Sequence, residues 1–170
     1  MNASTSKIHF AGLKLSLALV LALLVVPAYV VAPILFTELE SVQAGLIAGK
    51  VFHLSNMAVL ILGLAAAVFC YRIQVKKSTW YLLSAVLILV ALNTFGVAHM
   101  MAMIKTEAGD ISALADDDAM RLMFKFWHGL GSIMHLITTV LVAILVMQGQ
   151  CPRPKQTDTK PNPQLDEAKA

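Results

Sequence analysis

Charge is what this chain has least of. Only 14% of its 170 residues are charged and 58% are hydrophobic, whereas a soluble domain carries about 25% charged residues. A soluble core of this length cannot hide so much apolar surface; lipid can. Cysteine is nearly absent: Cys70 and Cys151 stand alone with no CxxC pair, so dithiol redox chemistry is set aside. No carboxylate lies inside an apolar run, and no nucleophile with an activating base is visible, so the reading leans away from an enzyme without deciding it. Nor is there a basic patch interleaved with aromatics, which excludes nucleic acid as a partner.

What is present is four long apolar runs, about 15–36, 46–71, 80–104 and 122–147. Each is long enough to cross a hydrocarbon core of ~30 Å at ~1.5 Å per residue. Short connections make sequence neighbours antiparallel neighbours, so the expected fold is an all-α, polytopic, antiparallel four-helix transmembrane bundle over 8–148. Residues 1–7 and the proline-rich 149–170 are expected to be disordered. The first run reads as a retained helix, because it is too long for a signal-peptide core and Pro33 follows the best cleavage position, Ala32. Pro27 and Pro33 should bend or end it.

Charge then orients the bundle. With four spans, Lys7, Lys14, Arg72, Lys76, Lys77, Arg153, Lys155, Lys160 and Lys169 share one side, and seven of the ten acids share the other. The positive-inside bias places both termini in the cytoplasm of a cell membrane, inner or plasma.

Polar side chains within the spans are the candidate chemistry. Arg121, His128, Ser132, His135 and Thr139 fall on one helical face of the fourth run. Asn56 with His53 in the second run, and Asn93 in the third, should face the interior with them. Gly45-x-x-x-Gly49 is a small-residue element, read as a close crossing inside the bundle and, second, as a dimer contact. His53, His99 and His128 lie within a few ångströms of one depth at ~1.5 Å per residue. Two histidines facing across a bundle suit axial ligation of haem b; three suit a metal or a proton relay. Alternatively each imidazole is simply hydrogen-bonded within the packing. His99, Met100, Met101 and Met103 form the soft donor set copper(I) prefers, although methionine also fills packing gaps. The triplet Asp116 to Asp118 precedes the fourth run, where a carboxylate caps free N–H groups, and Asp117 is spaced to pair with Arg121.

The stretch from Val30 to Glu40, then Ala44-Gly45 and Gly49 to Phe52, resembles the transmembrane-protein-205-like family of small membrane proteins. Arg121, Phe124 and His128 match the arginine, phenylalanine and histidine of its fourth helix, and Asn93 matches an asparagine of its third. One departure is Gly131, which stands where that family usually has serine, with Ser132 following. The family's biochemical function is not established. Its eukaryotic namesake is associated with platinum-drug resistance, and its fold is similar to copper-resistance D-type membrane domains and to a haem-dependent protoporphyrinogen oxidase. The resemblance thus implies metal handling or haem. The reading that results is of a membrane protein handling a metal or small solute through a polar intramembrane pocket. A bis-histidine haem protein is one rival; a structural subunit that packs with its own copy or another membrane protein is the other.

Overall fold

The computed structural model describes residues 3–148, with side chains described from Lys7 onward. The 149–170 segment lies outside the described residues. The described chain is all-helical with no β-strand. Its helices are α1 (Ala3–Val26), α2 (Ala32–Glu38), α3 (Ser41–Ile73), α4 (Lys77–Ala91), α5 (Ala98–Ala108) and α6 (Ala119–Met147). A π-turn, Pro27–Val31, joins α1 to α2, and another, Leu92–Val97, joins α4 to α5. Four continuous rods result: Lys7–Glu38, Ser41–Ile73, Lys77–Ala108 and Ala119–Met147, each long and apolar enough to cross a membrane. They contain the four runs read from the sequence. α1 begins at Ala3 and so runs back into the segment expected to be loose.

Pro27 neither ends nor sharply breaks the first rod. Proline has no N–H to donate and its ring collides with the carbonyl four residues back. The wider π-turn follows it, with the Ala32 N–H bonding to the Pro27 carbonyl, five residues back, and leads into Pro33 in the first turn of α2. Leu39, in extended conformation, ends the rod. α3 stops where Gln74 takes a left-handed φ of 52°, a position glycine usually fills. α6 starts where the Asp118 carboxylate accepts the N–H groups of Met120 (2.8 Å) and Arg121 (3.4 Å).

Contacts run α1 to α3, α3 to α4, α4 to α6 and α6 back to α1, which closes a four-membered ring. The end carrying Lys7, Lys14, Arg72, Lys76, Lys77 and the last turn of α6 is the basic end. The end carrying the α2–α3 and α5–α6 connections is the acidic end. Leu13, Leu17, Val20, Leu24, Val59, Ala66, Cys70, Val86, Val142 and Leu145 fill the basic half. Large apolar side chains cover the outside, with Leu54 at 73% exposure and Ile61 at 69%. An apolar exterior over four membrane-length rods is the surface of a multi-pass membrane protein.

Glycine marks the close approaches, though not where the small-residue element suggested. A Cβ on Gly12 would lie 2.7 Å from Phe69 Cζ, and one on Gly63 2.6 Å from Leu87 Cδ2. At Gly45 and Gly49 a Cβ would meet nothing within 4 Å. The expected crossing at that element is therefore absent from the bundle. The tight crossings are α1 on α3 through Gly12, and α3 on α4 through Gly63.

Candidate functional site

His135 is the histidine buried within a membrane-length rod among the described residues. It sits mid-way along α6 and is 9% exposed. Its Nε2 lies 3.0 Å from the Leu24 carbonyl of α1. A carbonyl only accepts, so Nε2 carries the proton and donates. The acceptor lies three residues before Pro27, at the turn where α-type bonding gives way to π-type. An edge-on contact with Phe52 of α3, ring centroids 5.6 Å apart, holds the other side of the imidazole. Nδ1 has no hydrogen-bond partner among the described residues.

Two polar groups share this level. Gly131, one turn from His135, packs on the second π-turn: a Cβ there would lie 3.0 Å from Val97 Cγ1 and 3.1 Å from Asn93 Oδ1. The missing side chain lets the Asn93 carboxamide lie against the α6 backbone. Asn56, 8% exposed, sits one turn along α3 from Phe52.

The acidic half opens above this layer. There α2 packs on α3 and α5 packs on α6, with no more than marginal contact between the two pairs. Gly45, Gly49, Phe52 and Asn56 fall on one face of α3, spaced four, three and four. Phe124, His128, Gly131 and His135 fall on one face of α6 at the same spacing. The two helices run the same way and meet at Phe52 and His135. Seven residues toward the acidic end, Gly45 and His128 therefore stand at one level, with open space at the glycine. His128 lies exposed, stacked on Phe124 at 6.0 Å and 13°. Lys105 of α5 places its ammonium 5.4 Å from the same phenylalanine ring. Beside these faces there is open space at Gly45 and Gly49, with Phe52 and His135 meeting below it.

A family model described as a domain of unknown function, DUF4149, matches residues 15–110. The chain belongs to this family. The DUF4149 segment spans three of the four rods and both π-turns, and so includes Leu24, Asn56 and Asn93; α6, with His135, lies beyond it. No curated protein and no solved structure matches the chain. The comparisons give no support to the narrower resemblance to the transmembrane-protein-205-like family or to copper-resistance domains.

Several residues expected in an inward pocket stand elsewhere. His53, His99 and His128 are all exposed. His53 lies one residue, and so about 100° of helical turn, beyond Phe52. That turn carries it away from the side of α3 that meets His135, so it stands on the outer surface of the bundle. Arg121 serves the acidic connection instead of a pocket: its Nη1 donates to the Leu114 carbonyl at 2.6 Å and pairs with Asp116 at 3.1 Å. Asp116, not Asp117, is its partner, and Asp116 also meets Lys125 at 3.6 Å. Ser132 is exposed, and its hydroxyl is spent on the His128 carbonyl of its own helix at 2.9 Å. Met100 and Met101 are half-buried while His99 and Met103 are exposed. Among the described residues, no three His, Cys, Asp or Glu side chains gather as a metal site. Asn56 and His135 are buried, and Asn93 is half-buried against α6.

Sequence reasoning passed over Phe52 and Thr94. Phe52 reads as one more apolar residue, and only the register of α3 against α6 reveals its contact. Thr94 had a signal: it follows Asn93 within a run of otherwise apolar residues.

Proposed function

We propose that this DUF4149 protein is a solute-handling membrane protein in which the acidic-half cleft admits a small polar solute or metal ion to His135. The carrying observation is the imidazole itself. It is buried at hydrocarbon depth, fixed through Nε2–H to the Leu24 carbonyl, and left with Nδ1 unbonded beneath an open cleft. Ionisable side chains at such depth are costly and mark pathways or binding sites. Interrupted helices around them are a recurring feature of transport sites. In this reading the acidic end faces outward and both termini lie in the cytoplasm, as the basic residues at the other end favour.

The test has two arms. In a cysteine-free background, Gly49→Cys should react with a membrane-impermeant maleimide added from outside. The purified protein is then screened for thermal stabilisation by Zn2+, Cu+ and small polyols. A probe that raises the wild-type Tm but not that of His135→Ala supports the reading. An unreactive Gly49→Cys together with no stabilising probe would sink it.

One observation favours a second reading. Gly45 leaves open space level with His128, between the rings of Phe52 and Phe124, and so gives room for a planar group. Haem b ligated by His128 would show as a Soret band that His128→Ala abolishes. A purified protein without visible absorbance excludes it.

A further inference from the structure

Thr94 carries a buried hydroxyl that bonds to no group among the described residues. The contrast within the same bundle is informative. Ser132, Thr138, Thr139 and Thr106 each donate to the carbonyl four residues back, at 2.8–2.9 Å. That is the ordinary solution for a hydroxyl in an apolar helix. Thr94 falls inside the Leu92–Val97 π-turn and makes no such bond. It is 6% exposed, so lipid headgroups and bulk water do not reach it. A hydroxyl left dry at such a place costs free energy that a native fold does not ordinarily leave uncompensated.

The surroundings say what compensates it. Gly63 faces Leu87 across the antiparallel α3–α4 contact. Seven residues further toward the acidic end on each helix stand Asn56 and Thr94, so they share a level. Asn93, beside Thr94, lies against Gly131, one turn of α6 from His135. The carboxamides of Asn56 and Asn93 make no hydrogen bond among the described residues, and neither does His135 Nδ1. The set is chemically mixed. Nδ1, with Nε2 committed as donor, is an acceptor; the amide nitrogens are donors; the hydroxyl is both. A bare cation satisfies only the oxygens and leaves the donors unpaired.

We infer that the layer formed by Asn56, Asn93, Thr94 and His135 is a binding site for buried water, which bridges the Thr94 hydroxyl to the imidazole Nδ1. Water donates and accepts, and a buried water typically finds about three polar partners. The π-turn is what creates the site, because it withholds the backbone carbonyl that would otherwise claim the hydroxyl. The inference goes beyond the cleft reading and stands whether or not a solute enters.

Water-edited solid-state NMR tests it on the 15N-histidine-labelled full chain in bilayers, with His135 assigned by difference from His135→Gln. The expected result is rapid magnetisation transfer from water to the His135 ring in wild type and in Thr94→Ser, weakened several-fold in Thr94→Val. A wild-type ring without water contact overturns the inference, as does equal transfer in Thr94→Val. Thermal melts give an independent readout. Thr94→Val is nearly isosteric, and losing a bridged hydroxyl should lower Tm by about 2–4 °C. A rise in Tm would mean the hydroxyl is truly orphaned, since deleting it then removes a desolvation penalty. A wild-type Tm that rises in NaCl but not in choline chloride, with no such rise in Thr94→Val, would overturn water in favour of a sodium ion.

Discussion

The two halves of this bundle solve different problems with the same four rods. In the basic half the ring of helices is closed, glycines make room for the Phe69 and Leu87 side chains, and the interior is mostly leucine, valine and alanine. In the acidic half the rods part into two pairs, Gly45 and Gly49 face open space, and Asn56, Asn93 and His135 lie at the base of the gap. The two π-turns sit at the boundary, where the packing changes character. Lipid supplies no hydrophobic drive between helices, so association rests on close packing. That packing is concentrated in the basic half, which should therefore contribute most to holding the fold.

The largest test of that division is a pair of truncations. Leu24 is 1% exposed among core side chains at the centre of the ring. Leu24→Ala removes dispersion contacts and leaves a cavity. Because the lost side chain would be equally at ease in lipid, the cost belongs at the low end of the usual range, about 2 kcal/mol. Phe36→Ala, in the acidic half and 53% exposed, should cost under about 0.5 kcal/mol. Unfolding in mixed micelles measures both. Equal losses would dissolve the distinction between halves.

Glycine substitutions sharpen it next. Gly12→Val drives a branched side chain into the Phe69 ring, and overpacking of this kind costs about 1–3 kcal/mol. Gly49→Val meets open space, and the penalty should lie within about 0.5 kcal/mol. The same measurement decides both. A large loss at Gly49 would mean that the cleft closes on that glycine in the membrane.

These pairs also separate what the sequence makes legible from what only packing decides. The four rods were legible because membrane-length apolar runs leave few alternatives. Asn56 and His135 were legible as interior groups for the same reason. The fate of His53, His99 and His128 was not. Helical periodicity puts residues on a face, but whether a neighbour covers that face depends on where the rods part. Two π-turns, at Pro27 and Leu92, also interrupt the period, and a π-turn adds one residue to it without a fixed sequence mark. Gly45 and Gly49 misled for a related reason. A small-residue pair permits close approach without causing it.

The acidic end offers a smaller effect. Asp118 caps α6 through the N–H groups of Met120 and Arg121. Asp118→Ala should cost about 1 kcal/mol, the usual loss for a cap. Hydrogen exchange should show the loss confined to the first turn of α6, with the basic half unchanged. Spread of the effect into the core would mean that the two halves unfold as one.

The smallest expected effect is also the most local. Every Asp and Glu among the described residues lies at the acidic end, so acid should act there first. Asp110 accepts hydrogen bonds from the Ser112 hydroxyl and backbone N–H, at 2.5 and 2.9 Å, and these hold its pKa below the ordinary carboxylate value. A depressed pKa means that the folded turn favours the charged form. Its contribution is therefore present above the unfolded pKa and fades as pH falls through the lowered, folded one. Exchange of the Ser112 amide, corrected for its intrinsic rate, should speed up over that acid window in wild type. Asp110→Asn should flatten the dependence. A Ser112 amide equally protected on both sides of the window would show that the turn is held by the surrounding connection, not by its carboxylate.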